Sequence, residues 1–275
     1  MSYHQAGAGA PDECMCRYGT SKLQFRGPQR ALDGAYLACF GGEETFGRFV
    51  ERPFAALIEQ RLDRKCVNFG SLFCGLDALV HDPGLVHLAN GAELCVIQVP
   101  GALGQSNRFY RVHPRRNDRF VAPTPDLITL YPEMDFTDVH FVGHLLSKLR
   151  DFQDARYELV IDDLQRQWVH RMTGLLCEIQ RPVLLLWLHV QGEMAQQRAV
   201  LSGCDPLLVE AEMVQVLSPH CAACVELNVQ VSGESDELED MLFGTLQQPM
   251  AEYFIGPATH RRIADAICPA ICDLN

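Results

Sequence analysis

The pattern of apolar and polar residues divides the chain into short apolar runs that alternate with longer amphipathic stretches. The apolar runs predict five strands, at 35–40, 66–70, 94–99, 183–190 and 224–231. Short runs that stay apolar throughout are typical of parallel strands that are buried on both faces of a sheet. Between these runs, apolar residues that recur every three or four positions predict helices, the longest with a stripe from Tyr157 to Ile179.

Strands that alternate with helices predict an α/β fold, a three-layer α/β/α sandwich around a five-stranded parallel sheet. The other predicted helices are 46–62 with a kink or restart at Pro53, 76–89 interrupted near Pro83, one with a stripe over 139–149, 206–217 beginning at Pro206, and 258–271. We expect a flexible tail at 1–15 and a single domain at 16–275. The region at about 100–150 is rich in insertions, and 100–125 has no helical or strand period and is predicted to be a loop.

The composition and charge of the chain argue against some classes of binding partner. The 275 residues carry a net charge of −12, which argues against non-specific binding to nucleic acid or to an anionic membrane surface. No run is long enough to span a bilayer, and the N-terminus lacks the pattern of a secretory signal, so we predict a cytoplasmic protein. The sequence leaves open whether the protein forms a homo-oligomer.

Twelve cysteines in a chain of this length and predicted compartment indicate reduced thiols rather than a disulfide framework. Several of them lie in apolar runs, where cysteine acts as a small buried hydrophobe. Cys221 and Cys224 form a CxxC pair, for which metal binding and a disulfide both remain open. His140 and His144 are spaced i, i+4, but no HExxH motif surrounds them. We predict no metal site and no cofactor.

The stretch from Tyr36 to Gly47, YLACFGGEETFG, predicts a buried strand, a glycine turn and the start of a helix. Open α/β folds place their ligand sites at such turns, outside the carboxyl ends of the strands. Glu43 is the candidate catalytic residue, as a general base, with Gly42 and Thr45 as candidate ligand-binding neighbours. The alternative is that the turn carboxylates only complement a helix N-terminus.

The segment 107–119, NRFYRVHPRRNDR, carries five arginines and a histidine within an acidic protein. The planar guanidinium suits phosphate, sulfate or carboxylate groups, so one interpretation is an anion site. The other is a set of ion pairs that ties a long loop to the acidic body. The candidate ligand-binding residues here are Asn107, Arg108, Arg111, His113, Arg115, Arg116 and Arg119.

Three short blocks of this chain resemble the SGNH (GDSL-type) hydrolases: 41–47, GGEETFG; 67–70, VNFG; and 256–264, GPATHRRIA. The resemblance, together with the strand–helix alternation, implies the flavodoxin-like strand order 2-1-3-4-5, and it adds Asn68 and Gly70 as candidate ligand-binding residues. The chain also resembles a bacterial family of unassigned activity with a GGxETxG turn and an HPRRNDR segment.

The departures from the SGNH pattern concern its catalytic residues. The place of the nucleophilic serine holds Glu43, and the places of the acid and the base hold Ala251 and Phe254. The asparagine of the third block has only a loose counterpart in Asn107. Without nucleophile, base and orienting acid, no serine-hydrolase activity is expected.

These observations favour a diverged SGNH-like protein that acts on or binds an anionic or sugar-linked small molecule. One alternative is a catalytically inactive protein that binds a ligand or a partner, and another is a sulfuryl or phosphoryl transferase. Because the first and third strands end at one sheet edge, we hypothesise that Arg108, Arg115 or Arg116 lies within reach of Glu43.

Overall fold

The computed structural model describes residues 15–152, 155–194 and 207–274. The strands are β1 (Met15–Cys16), β2 (Phe25–Arg26), β3 (Leu37–Gly41), β4 (Cys66–Gly70), β5 (Leu94–Gln98), β6 (Tyr110–Val112), β7 (Phe120–Pro123), β8 (Val183–Gln191) and β9 (Ala223–Gln230). The helices are α1 (Glu43–Phe46), α2 (Phe54–Leu62), α3 (Leu76–His81), α4 (Leu85–Gly91), α5 (Pro125–Leu130), α6 (Val142–Asp151), α7 (Ala155–Glu178), α8 (Ala211–Leu217), α9 (Gln248–Ala251) and α10 (Pro257–Asp273).

The central sheet has the order β4-β3-β5-β8-β9, and every neighbouring pair in it is parallel. The predicted α/β class and the five-stranded parallel sheet are therefore confirmed. Since β3 lies between β4 and β5, the strand order reverses beside β3. In sheets of this type the reversal opens a crevice at the carboxyl ends of the central strands, here those of β3 and β5.

Helices cover both faces of this sheet, which explains why β3 and β5 at its centre are buried along their whole length. Ala38 and Phe40 of β3 belong to one apolar cluster, with side chains of α3, α4, α7 and α8. Leu37 and Cys39 belong to the cluster on the opposite face, with α2 and α10. A third cluster joins β6, β7, α5 and α6 to the first half of α7.

The predicted helix at 46–62 is in fact two helices, and of the two predicted alternatives at Pro53, a kink or a restart, the restart is confirmed. The first, α1, ends at Gly47, which adopts a left-handed conformation with φ 67°. The second, α2, begins after Pro53, whose fixed φ suits a helix start and which has no N–H to donate. The turn that holds Glu43 therefore leads into a four-residue helix, too short to carry much of a macrodipole.

The predicted loop at 100–125 is also wrong in part. It contains the antiparallel pair β6–β7, with an irregular register at Arg111/Val112. A second antiparallel pair, β1–β2, precedes the central sheet in the chain.

Several predicted boundaries shift or cannot be compared. Met15 belongs to β1, so it is not part of the predicted tail, whose residues 1–14 lie outside the described residues. The helix predicted from Pro206 begins at Ala211, and Pro206 itself lies outside the described residues. Helix α6 begins at Val142, so His140 does not share a helix face with His144.

Within the described ranges, none of the helices combines the length and the apolar character needed to cross a bilayer.

Candidate functional site

The turn after β3 packs very tightly against the ends of two other strands, and glycine is required at two of the contacts. A Cβ atom added at Gly70 would lie 2.2 Å from the backbone N of Phe46. One added at Gly41 would lie 2.2 Å from Thr45 Oγ1 and 2.6 Å from Gln98 Oε1. The glycines therefore allow α1 to lie directly on the carboxyl edge of the sheet.

A chain of hydrogen bonds between side chains fixes this turn. Thr45 Oγ1 donates to Gln98 Oε1 at 2.6 Å, and Gln98 Nε2 donates to Glu44 Oε2 at 2.7 Å. Asn68 Nδ2 donates to the carbonyl of Thr45 at 2.7 Å, and Asn68 Oδ1 accepts from Gly70 N at 2.8 Å. The hydrogen-bonding groups of Thr45 and Asn68 are thus engaged in holding the turn, which makes these two residues positioning groups.

Gln98 is a site residue that the sequence reasoning missed. It is the last residue of β5 and is 6% exposed, and it connects the turn after β3 to the neighbouring strand. A signal was present, because a glutamine that closes an otherwise apolar strand reaches the carboxyl edge of the sheet.

Glu43 and Glu44 line a small cleft at this edge, with a cavity volume of about 40 Å³. Both carboxylates are buried, at 3% and 2% exposure, so neither is a solvated helix-start residue. Gly42, Gln98 and Asp118 also line the cleft. Acceptor oxygens of three acidic residues thus surround a space large enough for a few water-sized groups.

The segment 107–119 reaches this cleft through Asn117 and Asp118. Asn117 Oδ1 accepts from Gly75 N and Ala78 N, both at 2.9 Å, and Asn117 Nδ2 donates to the carbonyl of His113 at 2.9 Å. One buried amide therefore joins the segment to the first turn of α3.

Asn107 has a local role rather than a place in the cleft. Its Oδ1 accepts from Phe109 N at 2.8 Å and Tyr110 N at 3.1 Å, and its Nδ2 donates to the carbonyl of Gln105. Its carbonyl accepts from the guanidinium of Arg111. These contacts shape the entry to β6.

Two further arginines of the segment are engaged in other contacts. Arg108 Nε lies 2.6 Å from Oδ2 of Asp126, a residue of α5, and this ion pair is exposed. Arg119 lies 4.2 Å from the ring centroid of Phe141 and 3.9 Å from Asp118. The pair of Arg108 with Asp126 is of the kind that the alternative interpretation expected. The Arg119–Asp118 pair lies within the segment, and the contact of Arg119 with Phe141 was not predicted.

Arg115 and Arg116 line a second and larger cavity, with a volume of about 380 Å³. Among the described residues, the ionisable groups that line this cavity, which we term the basic groove, are Arg17, Lys22, His113, Arg115 and Arg116. Within the same residues, Arg17, Lys22 and Arg115 form no ion pair, and all three are exposed. The groove thus concentrates uncompensated positive charge in an acidic protein.

His113 Nδ1 accepts from the backbone N–H groups of Arg115 and Arg116 at 3.3 and 3.1 Å. A neutral imidazole that accepts at Nδ1 carries its proton on Nε2, so His113 has an N–H to donate. Arg17 and Lys22 were not predicted, because they come from a part of the chain about ninety residues away.

The places of the acid and base in the SGNH pattern are apolar in the fold as well. Ala251 and Phe254 pack with Phe49 and Met241 in a small buried cluster. His260 is fully buried, and its Nδ1 accepts from Phe54 N at the start of α2 at 3.1 Å. Desolvation, with a smaller contribution from Arg26, lowers the pKa of His260 to about 3, so this histidine is neutral at pH 7.

The ten cysteines that the structure describes are free thiols, Cys221 and Cys224 among them. Burial raises the pKa of Cys95 to about 12, which keeps that thiol protonated. In the part of the chain that the structure describes, no three His, Cys, Asp or Glu side chains are grouped as metal ligands would be.

Comparison with known proteins identifies a family whose function is unknown. A family model described as a domain of unknown function, DUF6473, matches residues 1–275. No curated protein matches the chain.

Proposed function

Because the chain belongs to the DUF6473 family, whose function is unknown, we propose a function from the geometry of its own site: the protein binds a small anionic molecule in the basic groove. The observation that carries this proposal is the charge of the groove. Its volume of about 380 Å³ falls in the range of small-molecule sites.

The chemistry of the lining supports an anion rather than a neutral ligand. Arg115 and Arg17 offer planar donors that suit phosphate, sulfate or carboxylate, and Lys22 adds a compact charge. The Nε2–H of His113 supplies a further donor. Leu72 and Phe73 add apolar surface to the same lining.

Isothermal titration calorimetry with inorganic phosphate tests the proposal. We expect saturable binding to the wild-type protein and a loss of about tenfold or more in affinity for Arg115→Ala, because one charge-assisted contact is removed. Arg108→Ala is the matched control: it changes an arginine of the same segment that is paired with Asp126 instead, and it should leave the affinity unchanged.

Two results would overturn the proposal. One is the absence of saturable phosphate binding. The other is an equal loss in both arginine variants, which would indicate a diffuse charge effect in place of a site.

The likeness to the SGNH hydrolases is part of the same proposal and concerns the scaffold. It is supported by the sheet order and by the turn of Gly41 to Gly47 at the carboxyl end of β3. The apolar side chains at 251 and 254 support a scaffold that lacks the serine-hydrolase machinery. The free thiols support the prediction of a reducing compartment such as the cytoplasm.

A further inference from the structure

The cleft and the basic groove adjoin one another, because Phe73 lines both cavities. Phe73 has φ 58°, a left-handed conformation that is uncommon for a bulky residue. Its carbonyl accepts from Asn117 N at 3.1 Å, a contact that helps to hold this conformation. Residues in such conformations persist only where the surroundings impose them, and they are frequent at ligand sites.

The two cavities have opposite chemistry. The cleft is lined by carboxylates, which accept hydrogen bonds and therefore suit hydroxyl groups. The groove is lined by cationic donors, which suit an anion. At about 40 Å³ the cleft has room for a few hydroxyl-sized groups but not for a whole sugar ring.

An ion pair links the cavities chemically. Arg116 lines the groove and donates to Asp118 Oδ2 at 2.9 Å, and Asp118 lines the cleft. The guanidinium of Arg116 also lies 4.0 Å from the ring centroid of Phe73. An anion bound in the groove competes with Asp118 for Arg116, which leaves the carboxylate of Asp118 able to accept from a hydroxyl group.

From this arrangement we infer the class of ligand: a phosphorylated polyol or short sugar, with the phosphate in the basic groove and the hydroxyl end in the cleft beside Glu43, Glu44 and Asp118. This inference rests on the proposed anion-binding function and adds to it the second half of the ligand.

Three probes separate the two halves: inorganic phosphate, ethyl phosphate and glycerol 3-phosphate. Ethyl phosphate places a short apolar group where glycerol 3-phosphate places two hydroxyls. We expect inorganic phosphate and ethyl phosphate to bind with similar affinity. Glycerol 3-phosphate should bind with an affinity at least about tenfold higher than that of ethyl phosphate, because each hydroxyl donates to a buried carboxylate.

The variant Glu43→Gln tests where the gain arises, since it removes the charge from one wall of the cleft and keeps its size. We expect this variant to lose most of the preference for glycerol 3-phosphate and to bind inorganic phosphate as the wild type does. Glu226→Gln, an exposed carboxylate on β9, is the matched control and should change neither affinity.

The comparison of ligands on the wild-type protein does not depend on whether Glu43→Gln folds. Equal affinities for ethyl phosphate and glycerol 3-phosphate would overturn the inference while leaving the anion-binding function in place. A failure of inorganic phosphate to bind would overturn the proposed function itself, and the inference with it.

Discussion

Gly41 and Gly70, at the carboxyl edge of the sheet, leave no room for a Cβ atom. A larger residue at either position is therefore predicted to destabilise the fold. At Gly70 a Cβ would lie 2.2 Å from the backbone N and 2.5 Å from the Cα of Phe46, so α1 would have to move off the sheet. We expect Gly70→Ala to lower the free energy of unfolding by about 2–3 kcal/mol or more, as overpacking does. Urea unfolding measures the change.

Gly174 provides the control for this variant. It lies on the exposed side of α7, and a Cβ added there meets nothing within 4 Å. Gly174→Ala should raise the free energy of unfolding by about 0.5–1 kcal/mol, because alanine restricts the unfolded chain and favours the helix. Similar losses for both variants would contradict the close packing of α1 on β4.

His260 predicts a pH dependence of stability. Its pKa of about 3 in the fold compares with 6.5 for a histidine in the unfolded chain, so between these values the unfolded chain binds a proton that the folded chain does not. Stability therefore rises with pH through this window, and the contribution is complete above about 6.5. Between pH 5 and pH 7 it amounts to about 2 kcal/mol.

Urea unfolding of the wild type and of His260→Gln at pH 5 and pH 7 measures this contribution. The variant should show a smaller difference between the two pH values, whatever its absolute stability. Parallel pH profiles for the two proteins would mean that His260 is not held neutral by burial.

At the scale of elements, Asn117 connects the segment 107–119 to α3. Its loss should therefore lower both the stability of the protein and its affinity for phosphate. Asn117→Ala removes acceptors for Gly75 N and Ala78 N and a donor to the carbonyl of His113. Ala78 N is buried and the other two groups are partly buried, so leaving them unpaired should lower the free energy of unfolding by about 2–3 kcal/mol. Phosphate affinity should fall as well, because Arg115 and Arg116 lose their fixed position.

Calorimetry and urea unfolding together test this prediction, with Asn228→Ala as the control. Asn228 is an exposed asparagine of β9 whose side chain pairs with Gln191, and its removal should leave phosphate binding unchanged. A destabilised Asn117→Ala that binds phosphate as well as the wild type would show that the groove does not depend on this connection.

The elements that the sequence predicts best are those in which periodicity and burial agree. The strand at 66–70 matches β4 because Val67 and Phe69 enter one apolar cluster and Cys66 enters the other, which leaves an apolar pattern that only Asn68 interrupts. The sequence does not predict the hairpin β6–β7, because its strands are three and four residues long and its register shifts at Arg111/Val112. The break between α1 and α2 required the left-handed Gly47, a conformation that the sequence alone does not specify.

The same contrast holds for the candidate site. Sequence order places Glu43 after β3 and therefore at the carboxyl edge, where the structure has it. The basic groove could not be predicted, because it joins residues 17 and 22 to the segment at 113–116 through folding. Arg108 has an ion pair of the kind that one interpretation of segment 107–119 expects. Arg115 and Arg116 line the groove, and for them the anion-site interpretation stays a prediction.

At the scale of the whole molecule, the charges of the body and of the groove have opposite signs, and this predicts what the protein binds and what it does not. The net charge of −12 repels an extended polyanion, which would have to lie along the acidic surface as well as in the groove. A small anion contacts only the groove. Its contacts are much shorter than the Debye length of about 8–10 Å, so salt screens them weakly.

We therefore expect the affinity for inorganic phosphate to fall by less than about tenfold between 50 and 300 mM sodium chloride, since few charges take part and their contacts are short. A single-stranded oligonucleotide should show no binding at 150 mM salt. Proteins that neutralise many phosphates lose affinity steeply with salt, because each contact releases counterions. If the oligonucleotide binds tightly and its affinity falls steeply with salt, the groove belongs to a longer basic track, and a small anionic ligand is the wrong class.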